Sequence, residues 1–275
     1  MLRLVCEEAT TLKEFTENNY AQASFFWNTL LKNKDIKVNG KKIGQNVKLS
    51  KGDEVCYYLT EKQAKKEVFR IVYEDENIVV IDKESGVNSE AVYAGLRREK
   101  GDNCGFIHRL DRNTMGLMVF SLNERAEQEL LSAFKERTAE KIYHALCFGS
   151  PKKESEVLTA YLRKDKDKGK VQIFDFSKEN TEKIITEYSV IQRCGERSKL
   201  KVLLHTGKTH QIRAHLAHIG CPVVGDMKYG DEVKNRAVHC TRQQLIAYSL
   251  QFFDLKFLAY LNGKIFSSNF DFQAE

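Results

Sequence analysis

Apolar and polar positions change rhythm along the chain. The stretch TTLKEFTENNYAQASFFWNTLLKN spaces Phe26, Leu30 and Leu31 as a helix does. KDIKVNGKKIGQNVKLSKGDEVCYYL then alternates in short runs broken at Asn39-Gly40 and Lys51-Gly52-Asp53, the signature of short strands joined by turns. Residues 1–60 therefore read as a small α+β module. TEKQAKKEV is polar and lacks a strong apolar period, which makes residues 61–67 a linker and sets a boundary near residue 66. VFRIVYEDENIVVIDKESGV opens a strand-rich body that takes up residues 68–275.

Within the body, strands alternate with two marked helices. GLMVFSL is a strand, and Asn123 after it caps ERAEQELLSAFKER, where Ala126, Leu130 and Phe134 recur every four residues. KIYHALCFG alternates again, so Ile142, His144, Leu146 and Phe148 share one face and Tyr143, Ala145 and Cys147 the other. KLKVLLHTGKTHQIRAHLAHIGCPVVG predicts a strand, a glycine turn and a helix with Ile212, Leu216 and Ile219 inward, closed by Gly220 and Pro222. Arg213 falls about 100° round that helix from Ile212, at the border of its buried face. RKDKDKGK, residues 163–170, reads as a solvated loop tip.

Composition narrows the class. With 275 residues and 42% hydrophobic content the chain can bury a proper core, and a net charge of +6 leans toward an anionic partner such as nucleic acid. Its seven cysteines lie far apart, form no C-x-x-C pair and are odd in number, which suggests neither a zinc knuckle nor a disulfide framework and fits a reducing cytoplasm. No segment approaches the ~20 apolar residues of a membrane span, and MLRLVCEEATTLKEF has acidic residues where a secretory sequence needs an apolar core. A soluble, intracellular protein is expected.

The chemistry-bearing stretch is GFIHRLDRNTMGL, which sets Asp111 between Arg109 and Arg112. An Asp flanked by arginines in a loop is ordinarily a turn former or a surface ion pair worth little. Here the loop runs between apolar segments, Gly105 and Gly116 permit close backbone approach, and the two arginines can hold the carboxylate ionised, which suits a nucleophile or base. TGKTHQ is not a phosphate-binding P-loop, because Val202 stands where the first glycine belongs. HRLDRNT is not a kinase catalytic loop, since Leu110 separates Arg109 from Asp111. His205, His210, His215 and His218 match no metal-ligand spacing and read as polar histidines at the start and on one face of a helix.

Three separated blocks, HRLDRNTMGLMVFSLN, EKIYHALCFG and LLHTGKTHQIRAHLAHIGCPVVGDMKYG, resemble the RluA-type pseudouridine synthases in residue type, order and spacing over roughly residues 68 to 255. NIVVIDKESGV resembles that family's Lys-Pro-x-Gly segment, and IKVNGKKIGQNVKLSKGDEV is similar to the alpha-L RNA-binding module that often precedes the catalytic domain. The resemblance implies an α+β catalytic domain, built on a mainly antiparallel mixed sheet with a central cleft, that isomerises uridine to pseudouridine in structured RNA, ribosomal or transfer, without cofactor or metal. By resemblance Asp111 is the reacting carboxylate, attacking the anomeric carbon or the uracil ring or assisting as a base. Tyr143 is then the platform for the extruded base, Arg213 the partner of the carboxylate and Arg109 a second support. Arg112 and Lys208 are expected on RNA phosphates.

The chain also departs from the family pattern. Met115 replaces the common Ser, Glu84 the Pro, and Ile246 the His of a late Leu-His-Ala segment. The early helix lacks the expected Ser-Arg pair, leaving Lys32, Lys34, Lys37, Lys41 and Lys42 as cations, so the first module is expected to position RNA without entering the chemistry. A cytoplasmic monomer acting on RNA is the expectation. An RNA or nucleoside glycosidase, which would release free uracil and commonly need a second carboxylate, and a non-catalytic RNA-binding protein are the alternatives.

Overall fold

In the computed structural model, residues 1–165 and 169–272 are described. The first module is a four-stranded antiparallel sheet in the order Leu2–Val5, Glu54–Tyr57, Ile36–Val38, Lys41–Ile43. Asn39 and Gly40 both take positive φ, as a two-residue hairpin between Val38 and Lys41 requires. The helical stretch expected from the apolar spacing is broken into three pieces, Leu12–Asn19, Ala21–Phe25 and Trp27–Asn33. Tyr20 is the first break: its backbone is extended at φ −144°, and its ring packs edge-on against Tyr57 in the small core with Leu12, Phe15, Leu30, Ile36 and Val55. The polar linker holds a single helical turn, Glu61–Ala64, closed by a capping box between Thr60 and Gln63.

The body is built on an eleven-stranded sheet. Its main path runs Lys170–Phe174, Ser155–Asp165, Glu182–Cys194, Arg197–Leu204, Ala139–Phe148, Leu245–Phe252, Met115–Ser121, Ile78–Lys83, Phe69–Glu74. Every neighbouring pair on this path is antiparallel except one: Met115–Ser121 runs parallel to Leu245–Phe252 and pairs with it only through Met115–Ile246 and Gly116–Ala247. The two halves of the sheet are thus joined at the point where the Asp111 loop enters it. Of the loop tip expected at 163–170, Arg163–Asp165 instead end one strand and Lys170 begins its antiparallel partner, and residues 166–168 lie outside the described residues.

Asn123 caps the helix Glu124–Glu136 by accepting from the Ala126 amide at 2.9 Å, and Ala126, Leu130 and Ala133 are buried. Phe134 turns toward the cleft. The helix Gln211–His218 ends at Ile219, with Gly220 at φ +78° beyond it. All six residues from Gln211 to Leu216 are buried, so Arg213 lies inside the protein rather than at the edge of a buried face, and His215 is equally enclosed. The seven cysteines are all free thiols. Among the described residues no helix is long and apolar enough to cross a membrane.

Two of the departures from the family pattern meet in space. Met115 and Ile246 face each other across the parallel junction and share an apolar cluster with Phe272, near the chain end. Gly116, the next residue, has φ +110°, and a Cβ there would fall 2.3 Å from the Ala247 carbonyl oxygen. Gly116→Ala is therefore expected to lower the unfolding free energy by roughly 1–3 kcal/mol or more, from backbone strain plus a main-chain clash, as read by denaturant titration.

Candidate active site

The Asp111 loop is fixed residue by residue. Ser89 Oγ accepts from the Leu110 amide and donates back to the Leu110 carbonyl, both at 2.9 Å. The Thr114 amide donates to the Asp111 carbonyl at 3.0 Å, and Gln243 Nε2 donates to Thr114 Oγ1 at 2.9 Å. Lys83 Nζ, fully buried, donates to the carbonyls of Glu84, Val87 and Arg112 at 2.9, 3.0 and 3.2 Å. Burial lowers this ammonium from 10.5 to about 7, against the opposing charges of Asp111 and Glu84.

The flanking arginines do not hold Asp111. Arg109 points outward, 71% exposed, and pairs with Glu90 at 3.0 Å. Arg112, expected on phosphate, is taken instead by Glu17 of the first module at 2.5 Å and by the Gly86 carbonyl at 3.1 Å. Neighbours in an irregular loop diverge, and each found an acid on a different element. Lys208 pairs with Glu182 at 2.5 Å.

The contact to Asp111 comes from Arg213, 102 residues further on, whose Nη1 lies 2.9 Å from Asp111 Oδ2. The rest of that guanidinium forks onto Asp226, Nε to Oδ2 at 2.7 Å and Nη2 to Oδ1 at 2.9 Å. Burial works against ionisation of Asp226, but the hydrogen bonds and charge of Arg213, with the Lys228 and Tyr229 amides, outweigh it and hold the carboxyl below its ordinary value. Burial alone would lower the Arg213 pKa, and the two carboxylates reverse that. Among the described residues Asp111 Oδ1 has no hydrogen-bond partner, so one oxygen of the carboxylate stays open to the cleft.

That cleft, of about 990 Å³, is lined by the Asp111 loop, by Phe134, Lys141 and Tyr143, and by the loop from Leu203 to His210. Tyr143 is buried, and burial followed by the Asp111 charge pushes its phenol upward, so it stays protonated. His210 adopts φ +55°, bonds Tyr229 Oη through Nδ1 at 2.8 Å and brings Nε2 to 4.0 Å from Asp111. Burial lowers its pKa, with Asp111 opposing, which favours the neutral ring. Of the four histidines read together, His210 alone faces the carboxylate. His205 pairs with Glu187, His215 with Thr186 and His218 with Asp175. No group of His, Cys, Asp and Glu able to hold a metal occurs among the described residues.

Sequence reasoning thus brought Asp111, Tyr143 and Arg213 to one cleft and missed Asp226, Lys83, His210 and Lys141. Asp226 sits inside the quoted GDMKYG, where an Asp after a glycine gives no sign of being buried. Lys141 lies two residues before Tyr143 on the cleft side of the same strand. Burial lowers its pKa, and its ammonium rests 4.7 Å from the Phe134 ring centre without a carboxylate partner among the described residues.

Two measurements probe this framework. Asp226→Asn leaves Arg213 buried with too little negative charge and is expected to destabilise the fold by about 3 kcal/mol in equilibrium unfolding. For Lys83, the unfolded chain keeps a proton that the folded chain releases between pH about 7 and 10.5. Its penalty is full below that window and fades as the pH rises through it, so stability climbs there. Lys83→Met should flatten that climb when the two proteins' unfolding free energies are compared across the same pH range.

The comparisons with known proteins agree with this geometry. A family model described as RNA pseudouridylate synthase matches residues 30–218. An uncharacterized RNA pseudouridine synthase of Aquifex aeolicus (strain VF5) is 34% identical over 256 residues, covering 82% of this chain and 79% of that protein. Ribosomal large subunit pseudouridine synthase C of Rickettsia bellii (strain RML369-C) is 32% identical over 232 residues, 74% of this chain and 76% of its own. The solved structure of human RNA pseudouridylate synthase domain containing 1 superposes with a TM-score of 0.60 at 27% identity, over 75% of this chain and 91% of that one. With three sequence blocks converging on one cleft and a family model spanning the loop, the strand and the helix that build it, the chain belongs to the RluA-type RNA pseudouridine synthases.

Proposed function

We propose that Asp111 carries the isomerisation, with Tyr143 beneath the extruded uracil and Arg213 orienting the carboxylate through a direct hydrogen bond. The observation that supports this most directly is the single 2.9 Å contact from Arg213 to Asp111 Oδ2, made by a guanidinium whose other face is occupied by Asp226. The reaction breaks the bond from ribose C1′ to uracil N1, turns the base and joins C1′ to C5, with the C5 proton lost and N1 protonated. The carboxylate attacks C1′, adds to the ring or assists as a base. Each route needs a fixed carboxylate oxygen facing the substrate, and Asp111 Oδ1, without a partner among the described residues, is placed to be that oxygen.

Tyr143, uncharged and flanked by cleft walls, supplies the aromatic surface that a flipped base requires, worth about 1–3 kcal/mol per stacked base. Among the described residues the exposed cations at the rim, Arg109 and Lys208, pair with exposed or partly exposed glutamates, contacts weak enough to be exchanged for phosphates. A glycosidase would commonly use a second carboxylate as acid, and Asp226 is unsuited to that, since Arg213 and two backbone amides occupy its oxygens. The relative from Rickettsia bellii is named for the ribosomal large subunit, and ribosomal RNA in the cytoplasm, met by a monomer, is the substrate we assign.

The test is pseudouridine mapping across cellular RNA with and without the gene, then rescue by the wild-type chain or by Asp111→Asn. The wild type should restore one or a few ribosomal sites and the folded Asn variant none. Turnover by Asp111→Asn, or release of free uracil, would overturn the assignment.

A further inference from the structure

The helix Leu12–Asn19 turns its last residues toward the body. Glu17 Oε1 lies 2.5 Å from Arg112 Nη1, Asn18 Oδ1 accepts from Asn88 Nδ2 at 3.0 Å, and the Asn19 carbonyl accepts from Arg98 Nη1 at 3.0 Å. Just beyond, Ser24 Oγ is 3.4 Å from Arg112 Nη2, the Phe25 ring lies over Gly86, and Ala21 joins the buried core of the body. This is the helical stretch from which the expected RNA-facing Ser-Arg pair is missing. An acid, an asparagine and a helix-end carbonyl suit a protein surface offering Arg and Asn donors, and an acid repels phosphate.

Arg112 follows Asp111 directly and is gripped from two sides. On the side of the body, its carbonyl accepts from the Gly86 amide at 2.9 Å and from Lys83 Nζ at 3.2 Å. Toward the first module, its guanidinium reaches Glu17 and Ser24. One peptide unit, about 3.8 Å between Cα atoms, separates it from the residue that carries the carboxylate, so a shift of Arg112 is felt at Asp111.

We propose that Glu17 is a positioning residue for the reaction: through Arg112 it fixes the backbone bearing Asp111, and the first module thereby completes the active-site loop. This deepens the assignment of Asp111 as the reacting carboxylate and rests on it. It also replaces the expectation that the first module serves RNA positioning alone. The ion pair is partly exposed, with the Arg112 side chain 41% accessible, and so adds little to global stability, which lets positioning be separated from folding.

The experiment uses the full chain with an RNA carrying the target uridine, and measures single-turnover rates over a range of RNA concentrations together with melting temperatures. Glu17→Gln is expected to lower the rate at saturating RNA on the order of tenfold, within the ~100-fold that misplacing a reacting group by an ångström can cost. The half-saturating RNA concentration and the melting temperature should stay at wild-type values. Combining Glu17→Arg with Arg112→Glu should recover most of the loss seen in either reversal alone, and this pair carries the test if Glu17→Gln does not fold. An unchanged saturated rate, a loss confined to half-saturation, or a double reversal no faster than the single ones would overturn the proposal. Asp111→Asn run alongside separates the two ideas: a dead Asp111→Asn beside a fully active Glu17→Gln sinks only the positioning role, whereas an active Asp111→Asn sinks the assignment beneath it.

Discussion

A single guanidinium divided between two carboxylates organises this protein. Arg213 gives two nitrogens to Asp226 and one to Asp111, so its plane is set by the buried acid and only its remaining edge is offered to the partly exposed one. A lysine could supply the charge but not the three directions. The backbone amides of Lys228 and Tyr229 carry part of the Asp226 charge, so the two acids need not rely on one cation alone. The arrangement orients Asp111 through one oxygen and leaves the other without a hydrogen-bond partner among the described residues.

Around that contact, rigidity is supplied by elements far apart in sequence. The loop is held by Ser89 and Lys83 on one flank and Gln243 on another, and it enters the sheet at the short parallel junction between its halves. Few of these bonds reach the surface, so the loop is largely shaped before substrate arrives, and binding need not supply the energy of ordering it.

Much of the site was legible in the sequence because its signals are local. Asp111, Tyr143 and Arg213 each sit in a block whose residue order is distinctive, and the period of two across KIYHALCFG grouped Tyr143 with Ala145 and Cys147 on one face, which the structure buries. What local signals could not show was partnership. The arginines beside Asp111 looked like its counter-ions, and only the resemblance pointed to Arg213, 102 residues away, while Arg112 reaches an acid 95 residues before it. The α+β architecture and the helix caps at Asn123 and Gly220 followed from pattern, whereas the break at Tyr20 reflects packing against Tyr57, which no helical period encodes. Lys83 and Asp226 were opaque for a related reason: a charged residue announces burial only through the acceptors or donors that surround it.

The apolar cluster at the parallel junction bears on how such a chain can change over generations. Met115 and Ile246, the two departures from the resembled serine and histidine, share a cluster with Phe272. Restoring the serine alone would leave a small hydroxyl against isoleucine and phenylalanine, with space unfilled beside it. Restoring the histidine alone would press an imidazole onto a thioether. Either single change would therefore disturb the packing that its neighbour depends on, so the two positions are coupled through one apolar contact. The choice of residue beside the Asp111 loop is thus tied to the choice on a strand more than a hundred positions away, and the two are best read as one unit of packing.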